Sequence, residues 1–156
     1  MIVHRTSTLD LSAEQAWQAL KLRDTFLFIT RGVMSYRGSE SWPELLMSPG
    51  VEICTVVYPL GFLPGFVHTF KILSVDDAAR EINTKEHGGL IRIWNHTMKI
   101  EPVSDLCCQY TDRIEIDAGA LTLVMRSFAQ FFYRYRQRRW QILAADLVNR
   151  LPQKPY

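Results

Sequence analysis

The chain is 156 residues long, 47% hydrophobic and 22% charged, with 18 basic and 16 acidic side chains for a net charge of +2. That length and composition suit one globular domain and exclude a disordered chain, a collagen-like repeat and a coiled-coil rod. The near-neutral total gives no reason to expect nucleic acid as a partner.

Residues 2–9 alternate polar and β-branched types and predict a first strand. Asp10-Leu11-Ser12 stops it. Ser12, with Gln15 three residues on, forms a capping box for a helix over 13–20 that carries Ala16, Trp17 and Leu20 on one face. A second short helix is predicted over 24–29, burying Phe26, Leu27 and Ile29 and ending at Gly32. A short strand at 33–37 leads into a loop rich in Ser, Pro and Gly from Gly38 to Gly50. Val51 to Tyr58 is the next strand. The segment Pro59–Gly65 contains two prolines and two glycines, yet is apolar through Leu60, Phe62 and Leu63. Strands at 66–75, 80–87, 91–101 and 106–117 follow. The short links Asp76-Asp77-Ala78, Gly88-Gly89 and Val103-Ser104-Asp105 predict an antiparallel meander. A long helix from Ala120 to Leu151 closes the chain, opened by Gly119 and stopped by Pro152. No repeat, low-complexity tract or linker interrupts this order, so residues 1–156 read as a single domain.

Cys54, Cys107 and Cys108 are odd in number, and neither a CxxC nor an HxxxH spacing occurs, so neither a disulfide framework nor a structural zinc site is expected. The first residues lack the apolar run of a signal peptide, and no apolar run approaches the length of a membrane-spanning helix. The expected setting is cytoplasmic. No phosphate-binding glycine loop or HExxH is present, so no cofactor or metal is called for.

A curved sheet of this length must cover its apolar face. The long helix is the available cover, with Val124, Phe128, Phe131 and Tyr135 on one stripe. A sheet wrapped round one helix leaves a hollow between them. This order, together with Asp10-Leu11-Ser12-Ala13-Glu14-Gln15-Ala16-Trp17, Trp94-Asn95-His96, Tyr110-Thr111-Asp112-Arg113-Ile114-Glu115 and the block from Phe131 to Trp140, resembles the START-related and birch-pollen-allergen-related superfamily across nearly the whole chain. The block at 131–140 resembles one bacterial branch, which is sometimes fused to a nucleotide-sugar-epimerase-like domain. The resemblance implies an α+β helix-grip fold: a curved antiparallel sheet wrapped around a long C-terminal helix, with two short helices after the first strand. The superfamily includes lipid carriers, hormone receptors, polyketide cyclases and aromatases, and fold alone does not choose among them.

If Val103-Ser104-Asp105 is a three-residue turn, Ile100 faces Cys108, Met98 faces Tyr110, His96 faces Asp112 and Trp94 faces Ile114. All eight then share one sheet face. The other face carries Asn95, Thr97, Lys99, Gln109, Arg113 and Glu115 and suits solvent. His96 and Asp112 are thus the polar members of an apolar face. They read as a general base oriented by a carboxylate, as an anchor for the polar end of a ligand, or as a buried pair that satisfies itself. His68 alternates with Phe66, Phe70 and Ile72 and faces the same hollow, as a ligand contact or as a core histidine. Tyr58 offers a hydroxyl at the mouth. Leu60, Phe62, Leu63 and Phe66 read as an apolar gate or as a loop packed on the sheet end, with Gly61 and Gly65 giving the gate freedom to move.

The positive charge is concentrated at one end. Residues 1–119 hold 11 basic and 15 acidic side chains, and residues 120–156 hold 7 basic and 1 acidic. Arg126, Arg134, Arg136, Arg138, Arg139 and Arg150 lie on the long helix against Asp146 alone. They are expected on a solvated outer face that pairs with the acidic sheet body, over an aromatic inner stripe. Arg134 and Arg138, one turn apart, offer weak contact to a membrane surface or another anionic partner.

The sequence as a whole predicts an apolar cavity that binds or carries a hydrophobic or aromatic small molecule. Val124, Phe128, Phe131 and Tyr135 of the helix are expected to line it beside the strand residues. Two alternatives stand. One is a cyclase- or aromatase-type enzyme using His96 and Asp112. The other is a partner-binding module using the arginine-rich helix.

Overall fold

The computed structural model describes residues 1–150, so the expected stop at Pro152 lies outside the described residues. The elements are β1 (Ile2–Leu9), α1 (Ala13–Leu20), α2 (Arg23–Thr30), β2 (Met34–Tyr36), β3 (Glu52–Pro59), β4 (Phe66–Asp76), β5 (Glu81–Gly88), β6 (Ile91–Ser104), β7 (Cys107–Asp117) and α3 (Thr122–Arg150). The seven strands form one antiparallel sheet in the order β1-β7-β6-β5-β4-β3-β2. The expected meander runs from β3 to β7, and β1 returns to pair with β7.

Local chemistry sets the element boundaries. Ser12 caps α1: its hydroxyl accepts the Gln15 N–H at 3.2 Å, while the Gln15 side-chain oxygen accepts the Ser12 N–H at 3.2 Å. Ala16, Trp17 and Leu20 are buried as the spacing requires, and the Trp17 indole N–H donates to Asp77 at 2.7 Å, tying α1 to the β4–β5 turn. Register shifts between Ile72 and Ser74, Glu86 and Gly88, and Pro102 and Ser104 add local twist and let the sheet curl. At Gly88 the backbone is so close to β4 that a Cβ would lie 2.3 Å from the Val67 carbonyl oxygen, so only glycine fits.

Two expectations need correction. In the β6–β7 hairpin, Met98 pairs with Asp112, Ile100 with Tyr110, His96 with Ile114 and Trp94 with Ile116. That is two residues from the expected register, because β6 continues to Ser104 and the chain turns at Asp105-Leu106. An even shift leaves every side chain on its face, so Trp94, His96, Met98, Ile100, Cys108, Tyr110, Asp112 and Ile114 are all buried on the concave side.

The second correction concerns α3, which is rotated from the expected stripe. Val124 is 58% exposed and Phe131 53% exposed. The buried stripe is Ala129, Phe132, Tyr133, Arg136, Gln137, Trp140 and Ala144, so the inner face carries an arginine and a glutamine among its aromatics.

The interior divides into two packed regions. Trp17, Leu20, Leu46, Ile72, Ile82, Ile100 and Trp140 fill the end of the molecule under α1. Val3, Val33, Trp94, Ile114, Ile116, Ala129, Phe132 and Tyr133 pack a second cluster nearer the start of α3. No helix among the described residues is long and apolar enough to cross a membrane.

Candidate functional site

Between the sheet and α3 lies a cavity of about 380 Å³. Phe70, Ile72, Trp94 and Met98 form its sheet wall, and Met125, Phe128, Phe132 and Tyr133 its helix wall. Phe26 and Thr30 of α2, with Met34, Tyr36 and Met47, close one side. Leu60, Leu63 and Phe131 line it yet are exposed, and they mark its mouth between the β3–β4 loop and the first turns of α3. Leu60 there has a left-handed φ of 54°, a conformation that costs a branched residue energy and is held by its N–H to the Val33 carbonyl at 2.7 Å.

Polar groups cross the floor of the cavity as one strip over four adjacent strands. On β7, Asp112 accepts from Tyr110 Oη at 2.6 Å and lies 2.7 Å from His96 Nε2 on β6. The pair meets diagonally rather than directly across the strands, because the register places Met98 opposite Asp112. Thr84 of β5 is opposite His96 and donates to Glu86 Oε1 at 2.9 Å. The other Glu86 oxygen lies 3.1 Å from His68 Nε2 on β4. His68, Thr84, Glu86 and His96 all line the cavity.

From α3, Arg136 closes this strip at 3% exposure. Its Nη2 donates to Tyr110 Oη at 3.2 Å and its Nε is 3.9 Å from Asp112 Oδ1, while Gln137 Nε2 donates to Asp112 Oδ2 at 3.2 Å.

Charge and burial compete at each of these groups. Burial favours the neutral form of Asp112, but the Arg136 charge, then the His96 and Tyr110 hydrogen bonds, hold its carboxyl below the ordinary aspartate value. Burial likewise acts to raise Glu86, and the His68 hydrogen bond and charge, the His96 charge and the Thr84 hydroxyl outweigh it and keep the carboxyl low. Burial works to deprotonate Arg136, but Tyr110, Asp112 and Tyr133 keep the guanidinium charged. Burial also pushes the Cys108 thiol up to about 11, which removes it as a nucleophile near neutral pH.

The structure brings Phe66, His68, Phe70, Trp94, His96, Met98, Phe128 and Phe131 together around one cavity. Tyr110 and Asp112 lie behind its wall and contact His96 and Arg136, which line it. The remaining expected residues lie elsewhere. Tyr58 Oη accepts from Arg37 Nη2 at 2.6 Å, Phe62 is 78% exposed, Val124 faces outward and the Tyr135 hydroxyl donates to the Arg31 carbonyl. Sequence reasoning missed Thr84, Glu86, Arg136 and Gln137. The parity of β5 was the available signal for two of them, since Ile82, Thr84 and Glu86 alternate inward against Asn83, Lys85 and His87.

No protein-family model matches the chain, and no curated protein matches it. Solved structures do. The Zhui aromatase/cyclase of Streptomyces sp. R1128 superposes with a TM-score of 0.73 at 10% identity, covering 99% of this chain and 99% of that one. A START superfamily protein of Mycobacterium smegmatis gives 0.68 at 10% identity over 94% and 98% of the two chains. Norcoclaurine synthase of Thalictrum flavum, in a complex with dopamine and hydroxybenzaldehyde, gives 0.65 at 14% identity over 99% and 89%. The architecture is therefore the helix-grip fold of START-related and birch-pollen-allergen-related proteins, as the sequence resemblance implied.

Proposed function

We propose that the protein binds an apolar or aromatic small molecule in this cavity, with the polar end of the ligand against the strip formed by His96, Glu86 and His68. One observation carries the reading: a cavity of about 380 Å³ whose lining is mostly apolar and whose charged or histidine side chains are His68, Glu86 and His96 of the strip with Arg136 closing it. Apolar burial supplies affinity at roughly 25 cal/mol per Å² before ordering costs, and the strip fixes orientation. His96 has Nε2 committed to Asp112, so Nδ1 is the ring nitrogen left to meet a ligand. The test is native mass spectrometry of freshly purified protein, followed by titration of an apolar fluorescent probe with the probe's own emission as readout. Binding is expected for the native chain and loss of binding for Met125→Trp, which fills the space beside the mouth. Equal binding by both proteins would remove the cavity from the account.

The His96–Asp112 contact at 2.7 Å favours a second reading, proton transfer on a bound carbonyl compound by a cyclase or aromatase type of enzyme. The two readings separate on His96→Ala. Catalysis requires lost turnover with binding largely kept, whereas simple binding requires weakened affinity and no turnover to lose.

A further inference from the structure

The strands run so that one end of the molecule holds the β3–β4 loop, the β5–β6 turn and the start of α3, while the opposite end holds α1, the β4–β5 turn and the β6–β7 turn. The two ends have different chemistry. At the mouth end, Leu60, Phe62, Leu63, Leu90 and Phe131 are exposed, Phe62 by 78%. A single exposed leucine is ordinary, but five large apolar side chains on two loops and α3 around one opening form a patch of the kind that marks an interaction site.

Charge sorts the same way. At the mouth end are the exposed Arg31, Arg92, Arg126 and Arg134. Arg92 packs its guanidinium beside Gly119, and Arg126 follows the cavity residue Met125. Among the described residues none of the four forms an ion pair with a carboxylate. The exposed ion pairs are Lys21–Asp77, Arg23–Asp24, Lys71–Glu52, Arg80–Glu14 and Lys99–Glu101, all toward the opposite end. The exposed or half-buried acids nearest the mouth are hydrogen-bonded there: Glu86 to His68 and Thr84, Glu115 to the Asn95 amide and Asp117 to the Gly119 N–H.

We infer that the mouth end docks on an anionic lipid bilayer. Phe62 and its apolar neighbours enter the headgroup boundary, and Arg31, Arg92, Arg126 and Arg134 meet lipid phosphates. An apolar patch with free cations around it matches an interface that is apolar below and negatively charged above. At the opposite end the exposed Asp10, Glu44, Asp76 and Asp105, in none of those ion pairs, are repelled by the same surface, so the field orients the molecule mouth-down before contact. The inference goes beyond ligand binding. It places the opening against the phase in which an apolar ligand dissolves, yet docking itself needs no ligand.

The experiment is cosedimentation with vesicles of phosphatidylcholine alone and of phosphatidylcholine mixed with phosphatidylglycerol. The native chain is expected to bind the mixed vesicles, to bind phosphatidylcholine much less, and to be released by added salt. Phe62→Asp and the double variant Arg126→Glu/Arg134→Glu are each expected to lower partitioning by about tenfold. Glu101→Gln at the opposite end should leave it unchanged. Binding that ignores Phe62→Asp and both arginines, or no binding to either vesicle, overturns docking. So does a dimer in sedimentation velocity that Phe62→Asp dissociates, which would assign the patch to a second copy of the chain. Probe uptake measured on the same variants keeps the two proposals apart, since Phe62 lies outside the cavity wall. Uptake by Phe62→Asp with vesicle binding lost supports both, and vesicle binding without any probe uptake removes the cavity reading alone.

Discussion

Asp112 is fully buried and touches His96, Tyr110, Gln137 and Arg136. Removing it strands the Arg136 charge without its counter-ion, so Asp112→Ala should destabilise the fold by about 3–5 kcal/mol, read from urea unfolding. The carboxyl is held below its ordinary value of 3.8 in the folded protein. Its contribution is therefore fully present above that value and is lost as the pH falls below it toward the folded-state value, and Glu86, held below 4.5, acts in the same direction. Arg136→Met removes the largest charge that holds Asp112 down, so the midpoint of acid unfolding should move to higher pH. An unchanged midpoint would mean that the hydrogen bonds alone set the carboxylate. His96 and Asp112 were legible in the sequence because each is a polar residue at an apolar parity. Arg136 was not, because it sits in a run of arginines and only the rotation of α3 distinguishes it from Arg134 and Arg138, which are exposed.

At the scale of the elements, the hairpin and the long helix show what a sequence determines. Strand parity has a period of two, so the face of each β6 and β7 residue was legible even though the turn was misplaced and the register was off by two. Helical facing is less forgiving, since one residue rotates the stripe by about 100°. In α3 the outer face carries Leu123, Val124 and Ile142 and the inner face carries Arg136 and Gln137, so apolar spacing alone misdirects the assignment. The better signal was the small and aromatic series Ala129, Phe132, Tyr133, Trp140 and Ala144. The observed facing makes a direct prediction. Val124→Lys should change stability by no more than about 0.5 kcal/mol, while Ala129→Leu, which adds volume at a fully buried site, should cost about 1–3 kcal/mol. Thermal melts of the two variants would read this difference, and the reverse order would restore the stripe drawn from the sequence.

Across the whole molecule, one end is solid and the other hollow. The packed region under α1 lends Met47, Phe70, Ile72 and Met98 to one side of the cavity and is otherwise filled by Trp17, Leu20, Leu46, Ile82, Ile100 and Trp140, whereas the β3–β4 loop and the first turns of α3 share their apolar contacts with the opening. Native-state hydrogen exchange should therefore show two classes. Amides of β6 and β7 beside α1 should open only with global unfolding, and those of the loop and the start of α3 through smaller, local openings. A bound ligand should protect the second class and leave the first unchanged. The charge of the terminal quarter also changes meaning at this scale. Its arginines do not neutralise the acidic sheet; among the described residues, only Arg136 of α3 makes an ion pair with the sheet, at 3.9 Å.

The pairing of β1 with β7 has a kinetic consequence. Thr6 meets Thr111 across 105 residues, and the Met1 amine reaches the Ile116 carbonyl across 115. Every other strand pair joins strands consecutive in the chain, by a long loop only between β2 and β3, but β1 finds its edge only after the meander exists to present one. Loop closure over that span costs conformational entropy that only the finished meander can repay, which places it late in folding. The first strand then joins after the rate-limiting barrier, so Val3→Ala should speed unfolding and leave the refolding rate almost untouched. The opening strand thus acts as a late fastener, governing how long the native state lasts more than how quickly it forms.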